Sequence, residues 1–243
     1  MTTCRHNASS VSKSAPMRLM TWNLHIGRDA QWRPTFPQMI ELMRAEQPDF
    51  IALQEVDCWA RRTRWGNQPG QIGQALGMNW EFHATVPLFP LVGGGFGNAI
   101  VTRYPILACH RHRLPFRREP RGVIETIIEA EGRKIAIFAT HFGLNQEERV
   151  RQAQRVVEII AGRPNCVLMG DLNERPDGPA YQVLMEAGLT DSARALSAEA
   201  NSFPAHLPDR RIDYILLGPS LRASRCWVAE YGGSDHRAVV GEC

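Results

Sequence analysis

Several stretches of the chain begin or end on side chains able to do polar chemistry. "MTWN" closes on Asn23, "IALQE" on Glu55, "IFATH" on His141, and "VLMGDLN" on Asp171 and Asn173. "RID" opens an apolar run at Asp213, and "SDH" opens another at Asp235 and His236. Any one of these is what a turn uses, because short polar side chains satisfy loop backbone. Together they supply hard oxygen ligands for a cation such as Mg²⁺ and two imidazoles for proton transfer. The chemistry that needs this set is hydrolysis of a phosphoester. One or two carboxylates hold the cation, a carboxylate and an amide orient the attacking water, and an imidazole steadied by a second carboxylate meets the phosphate.

Other chemistries lack their residues. There is no G-x-S-x-G, and no cysteine stands near a histidine in a nucleophile pattern. A phosphate-binding G-x-x-x-x-G-K-[ST] is absent, and "GGGFGN" does not follow the dinucleotide fingerprint, so it reads as a flexible loop.

Strands must present these groups. "RLMTWNLHIG" reads as a strand entering a loop, "DFIALQEV" as a strand buried on both faces, and "NAIVTRYPI" and "CVLMGDLN" as further strands. "VIETIIEAEGRKIAIFATHF" reads as a hairpin turning at "EGRK", and "RIDYILLG", "CWVAEY" and "HRAVVGEC" as three strands near the end. Phe36, Met39, Ile40 and Met43 recur at helical spacing in "FPQMIELMRAEQ", which Pro48 stops. "GQIGQALG" and "GPAYQVLMEAG" are shorter helices. In "NQEERVRQAQRVVEIIAG" Asn145 and Glu148 form a capping pair, Val150, Ala153, Val157 and Ile160 make the stripe, and Gly162 ends it. Strands outnumber helices, so helices must cover sheets: an α/β sandwich with no composition break.

The 243 residues are enough for one large core, and the net charge of +3 is too small to mark a nucleic-acid binder by itself. Arginine is clustered at Arg61, Arg62 and Arg64, at Arg111 and Arg113 around His112, and at Arg117, Arg118 and Arg121. These runs read as solvated loops, with a basic rim around an anionic substrate as the alternative. Trp59, Trp65 and Phe116 lie among them, either packed under loops or free to stack bases. "VPLFPLV" reads as a buried connection, with a membrane-facing loop as the alternative. Six scattered cysteines with no metal-type spacing fit free thiols in a reducing compartment. Residues 1–17 read as a disordered polar tail without signal-peptide or membrane character, which points to the cytoplasm. Residues 18–243 then form one domain.

In order along the chain, "TWNLH", "PDFIALQEVD", "GNAIVTRYPI", "RG", "THFG", the "RQAQ" helix, "VLMGDLN", "RIDYIL" and "SDHRAV" resemble the endonuclease/exonuclease/phosphatase superfamily of Mg²⁺-dependent phosphoesterases. The resemblance implies a DNase I-like four-layer αββα sandwich with two mainly antiparallel sheets. It implies Glu55 as principal metal ligand, with Asn23 and Asp235 beside it, for Mg²⁺ or Mn²⁺ in its place. Asp171 would position or deprotonate the water, with Asn173 orienting water and phosphate. His236 would meet the scissile phosphate, Asp213 would orient its ring, and His141 would act near the leaving group. Asn98 and Arg121 would support a loop and contact phosphate. "THFG" and "QEV" depart from the abasic-site endonuclease branch and look more like the phosphodiesterase-type branches. The implied activity is a nuclease-like phosphodiesterase, with a sphingomyelinase-like or small-molecule phosphoesterase as the alternative, and an inactive phosphate- or nucleic-acid-binding protein as a remote one. The implied partner is the phosphodiester itself, with neither a membrane span nor a protein partner.

Overall fold

The computed structural model describes residues 16–89, 94–130 and 132–243. The first half holds β1 (Arg18–Asn23), α1 (Phe36–Glu46), β2 (Phe50–Ala60), β3 (Gly66–Asn67), α2 (Gln68–Leu76), β4 (Asn79–Phe89), β5 (Gly94–Thr102) and β6 (Ile106–Leu114). Next come β7 (Arg121–Ala130), β8 (Arg133–His141), α3 (Gln146–Ile160), β9 (Cys166–Asp171) and α4 (Pro179–Glu186). The chain finishes with β10 (Thr190–Asp191), α5 (Ser192–Ala195), β11 (Asp213–Leu217), β12 (Arg225–Val228) and β13 (Val239–Glu242). One sheet runs β12-β13-β1-β2-β5-β4, with β3 added to β2, and the other runs β10-β11-β9-β8-β7-β6.

Each sheet has one parallel pair near its middle, β1 with β2 and β8 with β9, and its other ladders are antiparallel. The sheets are therefore mixed, and the helices lie outside them. Strand alternation divides the side chains among three cores. Leu19, Phe50, Ala52, Ile137, Ala139, Val167, Met169 and Ile215 fill the space between the sheets. Met20, Trp22, Ile51 and Leu53 pack on the α1 and α2 side, with Met39, Met43 and Ile72. Phe138, Leu168, Tyr214 and Leu216 pack under α3 and α4, with Ala153, Val156 and Leu184. The result is the expected four-layer αββα sandwich.

The helices form close to where periodicity places them. Gln47 ends α1 in a left-handed turn whose N–H returns to Met43, immediately before Pro48. On α3 the Asn145 side chain accepts the Glu148 N–H, but the Glu148 carboxylate takes the Gln152 amide instead of completing the capping box. Its buried stripe is Ala153, Val156, Ile159 and Ile160, while Val150 and Val157 are only partly covered.

Four readings are corrected. "GGGFGN" is not a loop from Gly94 onward, because those residues belong to β5. A Cβ at Gly97 would meet the His83 carbonyl at 2.0 Å, so glycine here serves close strand approach. The run around Arg111, His112 and Arg113 lies on the edge strand β6, where Arg111 pairs with Glu81 of β4. "NAIVTRYPI" is broken after Thr102, and Ile106 starts a new strand. In "VPLFPLV", Val86–Leu88 belong to β4 with Leu88 largely exposed, so this part is not a buried connection. Pro90–Val92 lie outside the described residues, as does the tail up to residue 15.

Candidate active site

The polar side chains continue the apolar rows between the sheets. Val167 and Met169 lead by alternation to Asp171, Ile137 and Ala139 lead to His141, and Leu19 and Thr21 lead to Asn23. Register then gathers them, since Asp171 pairs with His141 on one side and with Asp213 on the other. The row that fills the core with Val and Ile thus ends, at one rim of the sandwich, in a cluster of acids and imidazoles.

Glu55 would break this rule without a bulge. Ile51 and Leu53 face the helices, so simple alternation would send Glu55 the same way. The β2–β5 ladder shifts between Leu53 and Val56, and Glu55 takes a left-handed backbone, φ +53°. Val56 resumes the helix-facing row, which leaves Glu55 turned toward the rim. There its Oε1 accepts the Asn23 amide at 3.1 Å.

Burial first, then the nearby Asp235 carboxylate, push the Glu55 pKa up, partly offset by the Asn23 hydrogen bond. A carboxylate this enclosed, bonded only to an amide and facing a second carboxylate, is the environment a hard cation relieves. Glu55, Asn23 and Asp235 therefore fit a divalent ion. Asp171, Asp213 and His236 also bring ligand atoms within 4.8 Å of one another. That group is already bonded internally, and its imidazole is driven toward the cation, so it suits a hard cation less well.

His236 Nδ1 lies 2.9 Å from Asp213 Oδ2, and the same oxygen accepts the Ser202 hydroxyl at 2.5 Å. The Phe203 ring packs on the imidazole, with centroids 4.5 Å apart. The Trp22 indole donates to the His236 carbonyl at 2.9 Å, and Ser234 donates to the Asn23 carbonyl at 2.7 Å. Asp235 and His236 are consequently held in a bend before β13, and the strand proper starts at Val239. Burial works against the His236 imidazolium, but the Asp213 and Asp171 carboxylates outweigh it and push the ring up to about 10.

His141 is in the opposite state. Asn173 donates from Nδ2 to the Phe142 carbonyl at 3.0 Å, which fixes its amide, and the same nitrogen is 3.1 Å from His141 Nε2. Nε2 must then be the acceptor, and the ring proton sits on Nδ1. Burial, the Arg121 guanidinium and His236 hold this imidazole well below its ordinary value. Between the two rings stands Asp171, whose Oδ2 lies 3.2 Å from Asn23 Nδ2, 3.5 Å from His141 Nε2 and 3.7 Å from His236 Nε2. Its Oδ1 accepts the Asn173 N–H at 2.8 Å. Burial and the adjacent Asp213 carboxylate raise its pKa. Two imidazoles pushed in opposite directions around a carboxylate of raised basicity are an acid–base set.

Asn98 is buried on β5, and its amide crosses to the Gly122 carbonyl of β7 at 3.0 Å, beside Arg121. Arg121 pairs with Glu119 at 3.1 Å. Of the basic run before α2, Arg62 is engaged by both oxygens of Asp57 at 2.8 Å, while Arg61 and Arg64 are exposed. Trp59, Trp65 and Phe116 are 43%, 50% and 49% exposed, so each packs about half its surface on the protein and leaves the rest open. Ser202, Phe203 and Ser234 escaped sequence reasoning. "NSFPAHLP" has the composition of any turn, and its place over His236 depends on Ser202 and Arg210 folding the loop back on itself and on the Arg237 N–H bonding the Ser202 carbonyl.

No curated protein matches the chain. Among solved structures, an endonuclease/exonuclease/phosphatase from Beutenbergia cavernae DSM 12333 superposes with a TM-score of 0.78 at 22% identity, over 94% of this chain and 71% of that one. A family protein from Bacteroides thetaiotaomicron gives a TM-score of 0.79 at 18% identity, over 93% and 96% of the two chains. D. rerio TDP2 complexed with single strand DNA product gives 0.70 at 16% identity, over 93% and 98%. These likenesses establish the fold. The model of the Endonuclease/Exonuclease/phosphatase family matches residues 20–236, from within β1 to the histidine on Asp213. The chain belongs to that family.

Proposed function

We propose that the protein is a divalent-metal-dependent phosphodiesterase acting by attack of water on a phosphorus centre. The observation that carries this reading is Asp171 Oδ2 at 3.2–3.7 Å from Asn23, His141 and His236, with Glu55 on the far side of Asn23. Glu55, Asn23 and Asp235 would hold Mg²⁺ or Mn²⁺, which would supply charge neutralisation at a phosphoryl oxygen. Asp171 takes the proton of the attacking water, and Asn173 orients that water and the phosphate. His236, charged and steered by Asp213, donates from Nε2 to the phosphate. His141 acts on the leaving-group side. Arg121 contacts phosphate, and Asn98 keeps the backbone beside it in place.

The preferred substrates are nuclease-like phosphodiesters. Support comes from the exposed Trp59 and Trp65 beyond Glu55 on the β2 side, from exposed Arg61 and Arg64, and from the single strand DNA product held by the similar TDP2. We place the protein in the cytoplasm as one domain over residues 18–243. The cysteines among the described residues are free, and no helix there is long and apolar enough to cross a membrane.

The test is turnover of bis(p-nitrophenyl) phosphate with Mg²⁺ or Mn²⁺ by the wild type, Glu55→Gln and His236→Ala. Each variant should lose at least about 10²–10³ in rate while remaining folded by circular dichroism. Near-normal turnover by either would overturn the reading.

A further inference from the structure

Beside His141 lies a cavity of about 560 Å³, of whose arginines only Arg121 has a role in the steps above. Arg117, Arg118 and Arg121 line it together with Gly143, Leu144 and two carboxylates that are already engaged, Glu119 by Arg121 and Glu148 by the Gln152 amide. Its position follows from the sheet: Arg121 precedes Val123 by two residues, Val123 pairs with Thr140, and Gly143 follows His141 by two. The cavity therefore lies on the His141 side of the reaction centre, reached through Arg121, whose charge acts on that imidazole.

Two of its three cations, Arg117 and Arg118, are poorly neutralised, whereas Arg121 is paired with Glu119 at 3.1 Å. The Arg121 side chain is only 10% exposed, yet its buried Nε has no hydrogen-bond partner. A buried donor left unpaired is unfavourable, and an anion reaching it would relieve that cost. Arg117 has only a 3.7 Å contact with the exposed Glu147, and Arg118 forms no ion pair among the described residues. The cavity near Arg28, Arg62 and Arg64 contrasts with this, because Asp57 already holds the Arg62 guanidinium at both ends. Phe116 and Leu144, 49% and 78% exposed, flank the Arg117 cavity with apolar surface.

We propose that this cavity is a second anion subsite, which takes a further phosphate of the substrate on the leaving-group side of the scissile one. The inference rests on the phosphodiesterase reading and narrows it: the substrate is a phosphodiester bearing another phosphate. A polynucleotide and a phosphorylated headgroup share that chemistry.

Two substrate pairs separate them, a nucleoside p-nitrophenyl phosphodiester and an inositol p-nitrophenyl phosphodiester, each with and without a further phosphate. The wild type should show a KM about tenfold lower for a phosphate-bearing member, the size of one charge-assisted hydrogen bond. Arg117→Ala combined with Arg118→Ala should erase that preference and leave kcat and KM for bis(p-nitrophenyl) phosphate unchanged. A preference in the nucleoside pair alone, or in the inositol pair alone, supports the subsite and names its source. Equal KM values within both pairs, or a preference that survives the double substitution, overturn it. Calorimetry with a nucleoside bisphosphate and its monophosphate gives a readout independent of turnover, with about tenfold weaker binding of the bisphosphate alone expected in the double variant. If the wild type hydrolyses no diester, the catalytic reading fails and calorimetry still judges the subsite.

Discussion

Ser202 and His236 meet on one oxygen of Asp213, at 2.5 Å and 2.9 Å. The hydroxyl has no path to substrate except through that carboxylate, so Ser202 is a positioning residue. Ser202→Ala should lower kcat about tenfold with little change in KM, the effect of losing a hydrogen bond to a charged group. Ser202→Thr should restore most of it. Asp213→Ala should be worse, by about 10²–10³. Steady-state kinetics on a p-nitrophenyl diester decides this, and unchanged kcat in Ser202→Ala would remove the serine from the site.

Glu55 turns toward the rim only because of the bulge in β2. Its burial beside the Asp235 carboxylate, with only the Asn23 amide hydrogen-bonded to it among the described residues, predicts that metal binding depends on it. Calorimetric titration with Mn²⁺ should give one binding isotherm for the wild type and none for Glu55→Gln, while Asp235→Asn weakens binding less. A chelator should abolish turnover, and added Mg²⁺ or Mn²⁺ should return it. Unaltered Mn²⁺ affinity in Glu55→Gln would move the cation elsewhere.

Gly170 holds β8 and β9 together just before Asp171. A Cβ there would lie 2.0 Å from the Thr140 carbonyl oxygen, and its φ of +154° disfavours any other residue. Gly170→Ala should cost about 3 kcal/mol by denaturant unfolding. It should also reduce kcat, because the same ladder pairs His141 with Asp171. A variant as stable as the wild type would contradict the close approach.

His83 gives the fold a pH dependence. Burial, with Arg111, His112 and Arg113 adding to it and a Val123 backbone hydrogen bond opposing, lowers its pKa from 6.5 to about 4. The unfolded chain therefore binds the proton more readily, and the stability this neutral ring contributes is complete above pH 6.5. It is lost as pH falls toward about 4, and the full difference is about 3 kcal/mol. Thermal unfolding at intervals from pH 7 to about 4 should show this loss, and His83→Gln should show a smaller one. Identical pH profiles would rule out His83 as its source.

The sequence by itself determined the sandwich and picked out the polar groups that gather at the candidate site. Alternation in "CVLMGDLN" and "IAIFATH" sets which residues face inward, and the polar residue at the end of each row is visible as a break in an apolar pattern. Two strands were harder to read, since "CHRHRL" and "GGGFGN" carry charges and glycines that imitate loops while their backbones pair as the edge strand β6 and the interior strand β5. Only the tertiary structure decided the rest. Glu55 lies on the wrong parity until a bulge corrects it, and Ser202 reaches Asp213 only because its loop folds back on Arg210. The protonation states of His141 and His236 were undecided for the same reason. Both are histidines at strand edges, and what separates them is which neighbours the folded chain brings: an amide donor and a guanidinium for one, two carboxylates for the other. Local pattern encodes which way a side chain faces, whereas hydrogen-bond partners distant in sequence fix its charge.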